Sequence, residues 1–152
     1  MAQLVKLQDH ISRYELDATL YINRFLRLKK RRWQQFKEAI PINDDDEMNV
    51  ARKQYLDKLF STQLRWASST ITHKSILDEK YERDETLKQL IKELPDTHLV
   101  FYEPVFRLEN ADVELAIIIV APTMIYCIAA LDSMSNDIYQ AVDDRYWQRL
   151  RG

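Results

Sequence analysis

The densest concentration of chemistry-bearing side chains in the sequence is a run of cations. Between residues 24 and 37, Arg24, Arg27, Lys29, Lys30, Arg31, Arg32 and Lys37 are interleaved with Trp33 and Phe36. Guanidinium and ammonium groups at this density favour a phosphate backbone, because each contact releases a condensed counterion, and the aromatics can stack on bases. Helical spacing puts Arg24, Arg27 and Arg31 on one stripe, away from Ile22, Phe25, Trp33 and Phe36. The candidate nucleic-acid contacts are therefore Arg24, Arg27, Lys30, Arg31 and Arg32. The simpler reading is an amphipathic helix whose aromatics are buried and whose basic face is neutralised by the nearby acids at 44–47.

Other chemistries are thinly supplied. The chain has 152 residues and one glycine, Gly152, so loops that cradle phosphate on glycine backbone are excluded. One cysteine, Cys127, and three scattered histidines, His10, His73 and His98, do not make a structural zinc site. A single cysteine forms no internal disulfide, which fits a reducing compartment, and a cytoplasmic location is expected. Cys127 lies in an apolar run and is expected to be a small core residue rather than a nucleophile. The net charge of −2, from 22 basic and 24 acidic residues, makes the distribution of charge more informative than its total. The opening MAQLVKLQDH lacks the apolar run of a signal peptide. Trp66 and Trp147 are expected as packing anchors, with Tyr146-Trp147 a possible interface.

Several elements must position these groups. Apolar spacing predicts a helix over 21–40, stopped by Pro41. The acidic run 43–47 reads as a solvated linker that caps a second helix over 48–66. A third helix is expected over 84–94, followed by Pro95. From His98 the period becomes strand-like, with Pro104 marking an edge or a bulge and Glu109-Asn110 a turn. Residues 115–131 carry no charge, but a membrane-spanning helix needs about 20 apolar residues and Pro122 interrupts this run. Two strands buried on both faces and turning at Pro122-Thr123 are the better reading, so no membrane segment is expected. Strands joined by such short turns form an antiparallel meander. The expected class is α+β, with a helical module over 1–70 and a sheet-bearing core over 71–152.

That order resembles the nuclease-related domain (NERD) of bacterial, Bacillus-type proteins, in the PD-(D/E)XK nuclease-like superfamily. The resemblance is carried by VFYEPVFRLENADVELAIIIVAP, MIYCIAAL and DRYWQRL. HISRYELDATLYINRFLRLKKRRWQQFKEAI and TQLRWASST resemble the helical region of some members. The resemblance implies a partial restriction-endonuclease-like core, in which a strand Asp and a Glu-x-Lys motif on the next strand hold a divalent metal that activates water. Here those positions fall on Ala116 and on Ala129, Ala130 and Leu131, side chains that neither ligate metal nor move protons. It therefore implies a catalytically degenerate domain without cofactor, binding nucleic acid or another protein. The alternative is a displaced Mg²⁺ site using Glu114 and Asp132, with Asp112 and Glu103 nearby, although no lysine occurs from 111 to 140. Asp112 and Glu114 stand two apart and share a strand face. A third reading is a homodimer pairing through the N-terminal helices. A full core of this type continues with another helix and strand, so the expectation is either a core incomplete at its C-terminus or a sheet covered by something else.

Overall fold

The computed structural model describes residues 1–40, 44–129, 137–143 and 146–151. Its first element is one that the hydrophobic pattern hides. Strand β1 (Gln3–Leu7) is buried along its whole length, although Gln3 and Lys6 interrupt its apolar sequence. Gln3 accepts a hydrogen bond from the Tyr14 hydroxyl at 3.3 Å. The Lys6 ammonium is ion-paired with Glu15 and donates to the His10 carbonyl at 2.8 Å. Such pairing offsets the cost of burying the Lys6 ammonium and the Gln3 Oε1, while the Gln3 Nε2 has no partner among the described residues.

β1 runs parallel to β2 (Leu99–Tyr102) and forms one end of a four-stranded sheet, in which the segments Ile117–Val120 and then Ile125–Ile128 follow on the far side of β2. An end strand leaves one row of peptide groups unpaired, which is costly when buried. Side chains close that row. Gln63 accepts from the Leu4 N–H at 2.8 Å and donates to the Ala2 carbonyl at 2.6 Å, acting as a one-residue substitute for a fifth strand. The Ser12 hydroxyl donates to the Val5 carbonyl at 2.5 Å.

The helices begin and end on recognisable chemistry. A short 3-10 turn, Arg13–Glu15, precedes α1 (Ala18–Ala39), whose cap Asp17 accepts from the Leu20 N–H at 2.8 Å. In α2 (Asp45–Ala67), Asp44 accepts from the Glu47 N–H at 2.7 Å, so the acidic run forms the first turn rather than a linker. After α3 (Lys80–Arg83), α4 (Glu85–Glu93) is capped by Asp84 on the Leu87 N–H at 2.9 Å. Asp84 also accepts from the Tyr102 hydroxyl at 2.7 Å, tying α4 to the sheet. Ile40 and Leu94, each preceding a proline in sequence, are extended, as the ring of the next residue requires.

The meander is present, with one interruption. β3 (Val105–Arg107) pairs with β4 (Asp112–Glu114) in the same register in which β2 pairs with β5 (Ile117–Val120). The four segments are thus two halves of one long hairpin, split at Glu103-Pro104. Pro104 supplies no N–H and Glu103 takes a positive φ of 46°, so the ladder cannot run through. The Gln8 backbone, itself at φ 45°, bridges the break by donating to the Tyr102 carbonyl and accepting from the Val105 N–H. β5 then turns at Pro122-Thr123 into β6 (Ile125–Ile128), with Val120 opposite Ile125. A separate hairpin joins β7 (Asp137–Ala141) to β8 (Trp147–Arg151).

Two hydrophobic clusters flank β1. One holds Leu4, Leu7, Phe60, Leu64, Leu87, Ile91, Val100, Ile117 and Ile119. The other holds Val5, Tyr14, Tyr21, Phe25, Tyr55, Leu59 and Trp66. The first cluster draws on both sides of residue 70, so α2, α4 and the sheet share it. The expectation of two strands buried on both faces fails for β6. All four of its residues are exposed, Ile125 by 67%, and Cys127 with them. β6 is an end strand with no element packed over it among the described residues, so Cys127 is a surface thiol and not a core residue. Tyr146 and Trp147 are likewise 68% exposed, so Trp147 is not a packing anchor, whereas Trp66 is. No described helix is long and apolar enough to cross a membrane.

Two outcomes follow from this packing. Gln63→Leu strips partners from two buried peptide groups and is expected to lower stability by about 2–5 kcal/mol with an unchanged denaturant slope. A loss under about 0.5 kcal/mol would show that β1 does not depend on Gln63. Burial raises the phenol pKa of Tyr14, Tyr81 and Tyr102 and pushes that of Tyr55 up to about 12. Phenols held above their ordinary value of about 10 leave stability flat below that pH and erode it above, because the unfolded chain ionises first. In an alkaline titration, part of the tyrosinate absorbance should therefore appear only as the protein unfolds; a fully reversible titration near pH 10 without unfolding would contradict the assignment.

Candidate nucleic-acid interface

Helix α1 buries Tyr21 and Phe25, and Arg24, Arg27 and Arg31 lie exposed along one flank of that buried face. These three arginines, with Leu28 and Trp66, line one shallow groove. Over seven residues at a rise of 1.5 Å each, the stripe spans about 10 Å, close to three phosphate steps at about 3.4 Å per strand. The guanidinium of Arg24 lies 5.4 Å from the Tyr21 ring, which limits its freedom.

A second groove adjoins the first at Trp66. It has a volume of about 430 Å³ and is lined by Arg13, Arg32, Arg65 and Lys74, with Thr62, Ser68, Ser69, Thr70 and Thr72. The elements position these groups closely. Arg32 from α1 and Arg65 from α2 both donate to the Thr62 hydroxyl, at 3.0 and 3.4 Å, so two cations converge on one oxygen. Arg13, from the turn before α1, lies over Trp66 at 5.2 Å, and its buried Nε has no hydrogen-bond partner among the described residues. Trp66 is held in turn by Phe25 at 5.4 Å and Tyr21 at 5.9 Å between ring centres.

The electrostatics are one-sided. Among the described residues, no carboxylate lies within ion-pairing distance of Arg13, Arg24, Arg27, Arg31, Arg32, Arg65 or Lys74. Among the described residues, no ion pair joins the acids at the start of α2 to this face. Seven cations that make no ion pair among the described residues, in a chain of net charge −2, form a local positive field that attracts anions.

The other expected contacts separate from this surface. Lys30 is exposed, but it lines a groove on the other flank of α1 with Lys29, Trp33, Arg52 and Lys92. Trp33 and Phe36 are half-buried, with Trp33 5.0 Å from the Tyr55 ring, and serve as packing between α1 and α2 rather than as stacking platforms. Lys29 is paired with Asp96 at 3.2 Å, which holds the Asp96 carboxyl below its usual range.

The acids collect elsewhere. Asp112 and Glu114 on β4 are exposed and line a cleft of about 560 Å³ with Asp9, Glu103 and Arg107, at the break in the long hairpin. Ala116 and Ala129, the positions to which the nuclease resemblance assigns an acid and the start of Glu-x-Lys, line the same cleft. Among the described residues no lysine lines it, and Arg107 stands opposite Asp112 across the β3–β4 pair. Among the described residues, no group of three His, Cys, Asp or Glu is placed to hold a metal ion. Asp132, Ala130 and Leu131 lie outside the described residues.

Arg13, Arg65 and Lys74 were not legible as candidates, because three separate segments supply them. One signal was available: Thr62, Arg65 and Ser69 follow a spacing of three and four, which places them on one side of α2 as it ends.

No family model matches the chain, and no solved structure matches it. A stretch of 37 residues is 54% identical to part of an RNA 2',3'-cyclic phosphodiesterase of Geobacillus stearothermophilus. The match takes in 24% of this chain and spans only 12% of the length of that curated relative.

Proposed function

We propose that this protein is a nuclease-like domain without a working metal site, and that it binds the phosphodiester backbone of nucleic acid through the arginine surface of α1 and α2. The observation that carries the reading is the stripe Arg24, Arg27 and Arg31, exposed, evenly spaced and without carboxylate partners among the described residues. Building such a surface costs stability through self-repulsion, and a polyanion relieves it. Arg32 joins the contact from the adjoining groove, and Lys30 contributes only at long range. Ala116 and Ala129 in the acidic cleft favour binding over cleavage, since neither side chain supplies a ligand or a proton. The segment shared with an RNA phosphodiesterase is too short to transfer that enzyme's chemistry, but it makes RNA one of the polymers to test.

Binding measured against salt separates this reading from its rivals. The affinity should fall with a log–log slope of about −0.7 to −0.9 per phosphate contact, and Arg24→Ala with Arg27→Ala and Arg31→Ala should flatten that slope by about two to three units. Weak binding with no salt slope, or a triple variant that binds as the parent does, would remove the proposal. Incubation with Mg²⁺ or Mn²⁺ is expected to leave DNA and RNA uncut. Metal-dependent cutting that Glu114→Ala abolishes would establish the displaced acidic site instead.

A further inference from the structure

The stripe on α1 and the groove beside it differ in shape, and the difference has chemical meaning. Arg24, Arg27 and Arg31 lie along a line, which suits successive monoanionic diesters. In the second groove Arg32 and Arg65 converge on one hydroxyl, with Arg13 and Lys74 lining the same space. Cations gathered around a point fit a small, highly charged group better than an extended chain. A phosphate monoester carries about −1.5 to −2 charges near neutral pH and presents three terminal oxygens. Planar guanidinium forks bind such oxygens in pairs.

The groove is also fixed before any ligand arrives. Arg13 rests on Trp66, a residue only 9% exposed, and its buried Nε donor has no partner among the described residues. The wall that carries Lys74 is a tight hairpin: the Thr70 N–H donates to the His73 carbonyl at 2.8 Å, the His73 N–H to the Thr70 hydroxyl at 3.0 Å, and the Ser75 N–H to the Ser68 carbonyl at 3.0 Å. Pre-set donors spare the ligand the cost of ordering them. We infer that this groove, formed by Arg13, Arg32, Arg65 and Lys74 at the end of α2, is a receptor for a phosphate monoester, either the phosphorylated end of a nucleic-acid strand or free phosphate. Only the delivery of a strand end rests on the backbone-binding reading above; the receptor itself stands on its own residues.

The full-length chain is titrated with single-stranded RNA of about ten nucleotides, internally labelled, carrying a 5'-phosphate, a 3'-phosphate or hydroxyls at both ends. One phosphorylated form is expected to bind about tenfold tighter than the hydroxyl form. Lys74→Ala and Arg65→Gln, both at exposed positions and checked for unchanged melting temperature, should erase that preference, so that each variant binds the phosphorylated and hydroxyl-ended forms alike. The Arg24, Arg27 and Arg31 triple alanine variant should weaken all three oligonucleotides alike and keep the preference. If inorganic phosphate abolishes the preference and alone raises the melting temperature, the receptor recognises phosphate itself; if it does neither, the receptor recognises a strand end. Equal affinity for all three oligonucleotides without a phosphate effect on melting overturns the inference, even where the stripe variant shows that the backbone reading holds. So does a preference that survives both Lys74→Ala and Arg65→Gln. A preference that persists while the stripe variant binds normally would retain the receptor and discard the backbone reading.

Discussion

A strand with both faces and both edges buried cannot leave its peptide groups bare, and in this protein β1 is such a strand. β2 satisfies one edge and the side chains of Gln63 and Ser12 satisfy the other. Gln63 belongs to α2, so the two hydrogen bonds that close the strand also fix where α2 sits. From there the packing follows. Phe60 and Leu64 face the cluster shared with α4 and the sheet, while Tyr55, Leu59 and Trp66 face the cluster shared with α1. The first residues of the chain therefore act as the keel against which both helical layers are set.

The arginine surface inherits its geometry from this arrangement. Trp66, anchored by the aromatic side of α1, carries Arg13 on its face and forms a wall common to both grooves. Thr62, one residue before Gln63, holds Arg32 and Arg65 together. Residues that secure β1 and residues that gather cations thus alternate along the same turn of α2. Clustered like charges normally repel, and the rigid core beneath lets the protein hold them at fixed positions.

Much of the fold was legible because it is written in short-range chemistry. The acidic run at 44–47 starts α2, prolines at 41 and 95 bound the helices in sequence, and the turns at Glu109-Asn110 and Pro122-Thr123 set the pairing of the meander, whereas the caps Asp17 and Asp84 show only in the structure. β1 was not legible, because its burial depends on partners supplied from a distance: Tyr14 for Gln3, Glu15 for Lys6, and Gln63 for the backbone. β6 misled in the opposite sense. Its composition records the capacity to be buried, and no described element uses it. The stripe Arg24, Arg27 and Arg31 could be read from helical periodicity alone, whereas Arg13, Arg65 and Lys74 become neighbours only once three segments are folded together.

The protein separates its charges into an acidic cleft at the break in the hairpin and a basic surface at the end of α2. Assigning function to the basic surface rather than the cleft is the central claim, and amide chemical-shift mapping with a short single-stranded RNA tests it most directly. The account predicts perturbations at Arg24, Arg27, Arg31, Arg65 and residues 68–74, with the amides of Glu103, Asp112, Glu114 and Ala116 unmoved. Shifts concentrated around Glu114 and Ala116, with the α1 stripe silent, would contradict it.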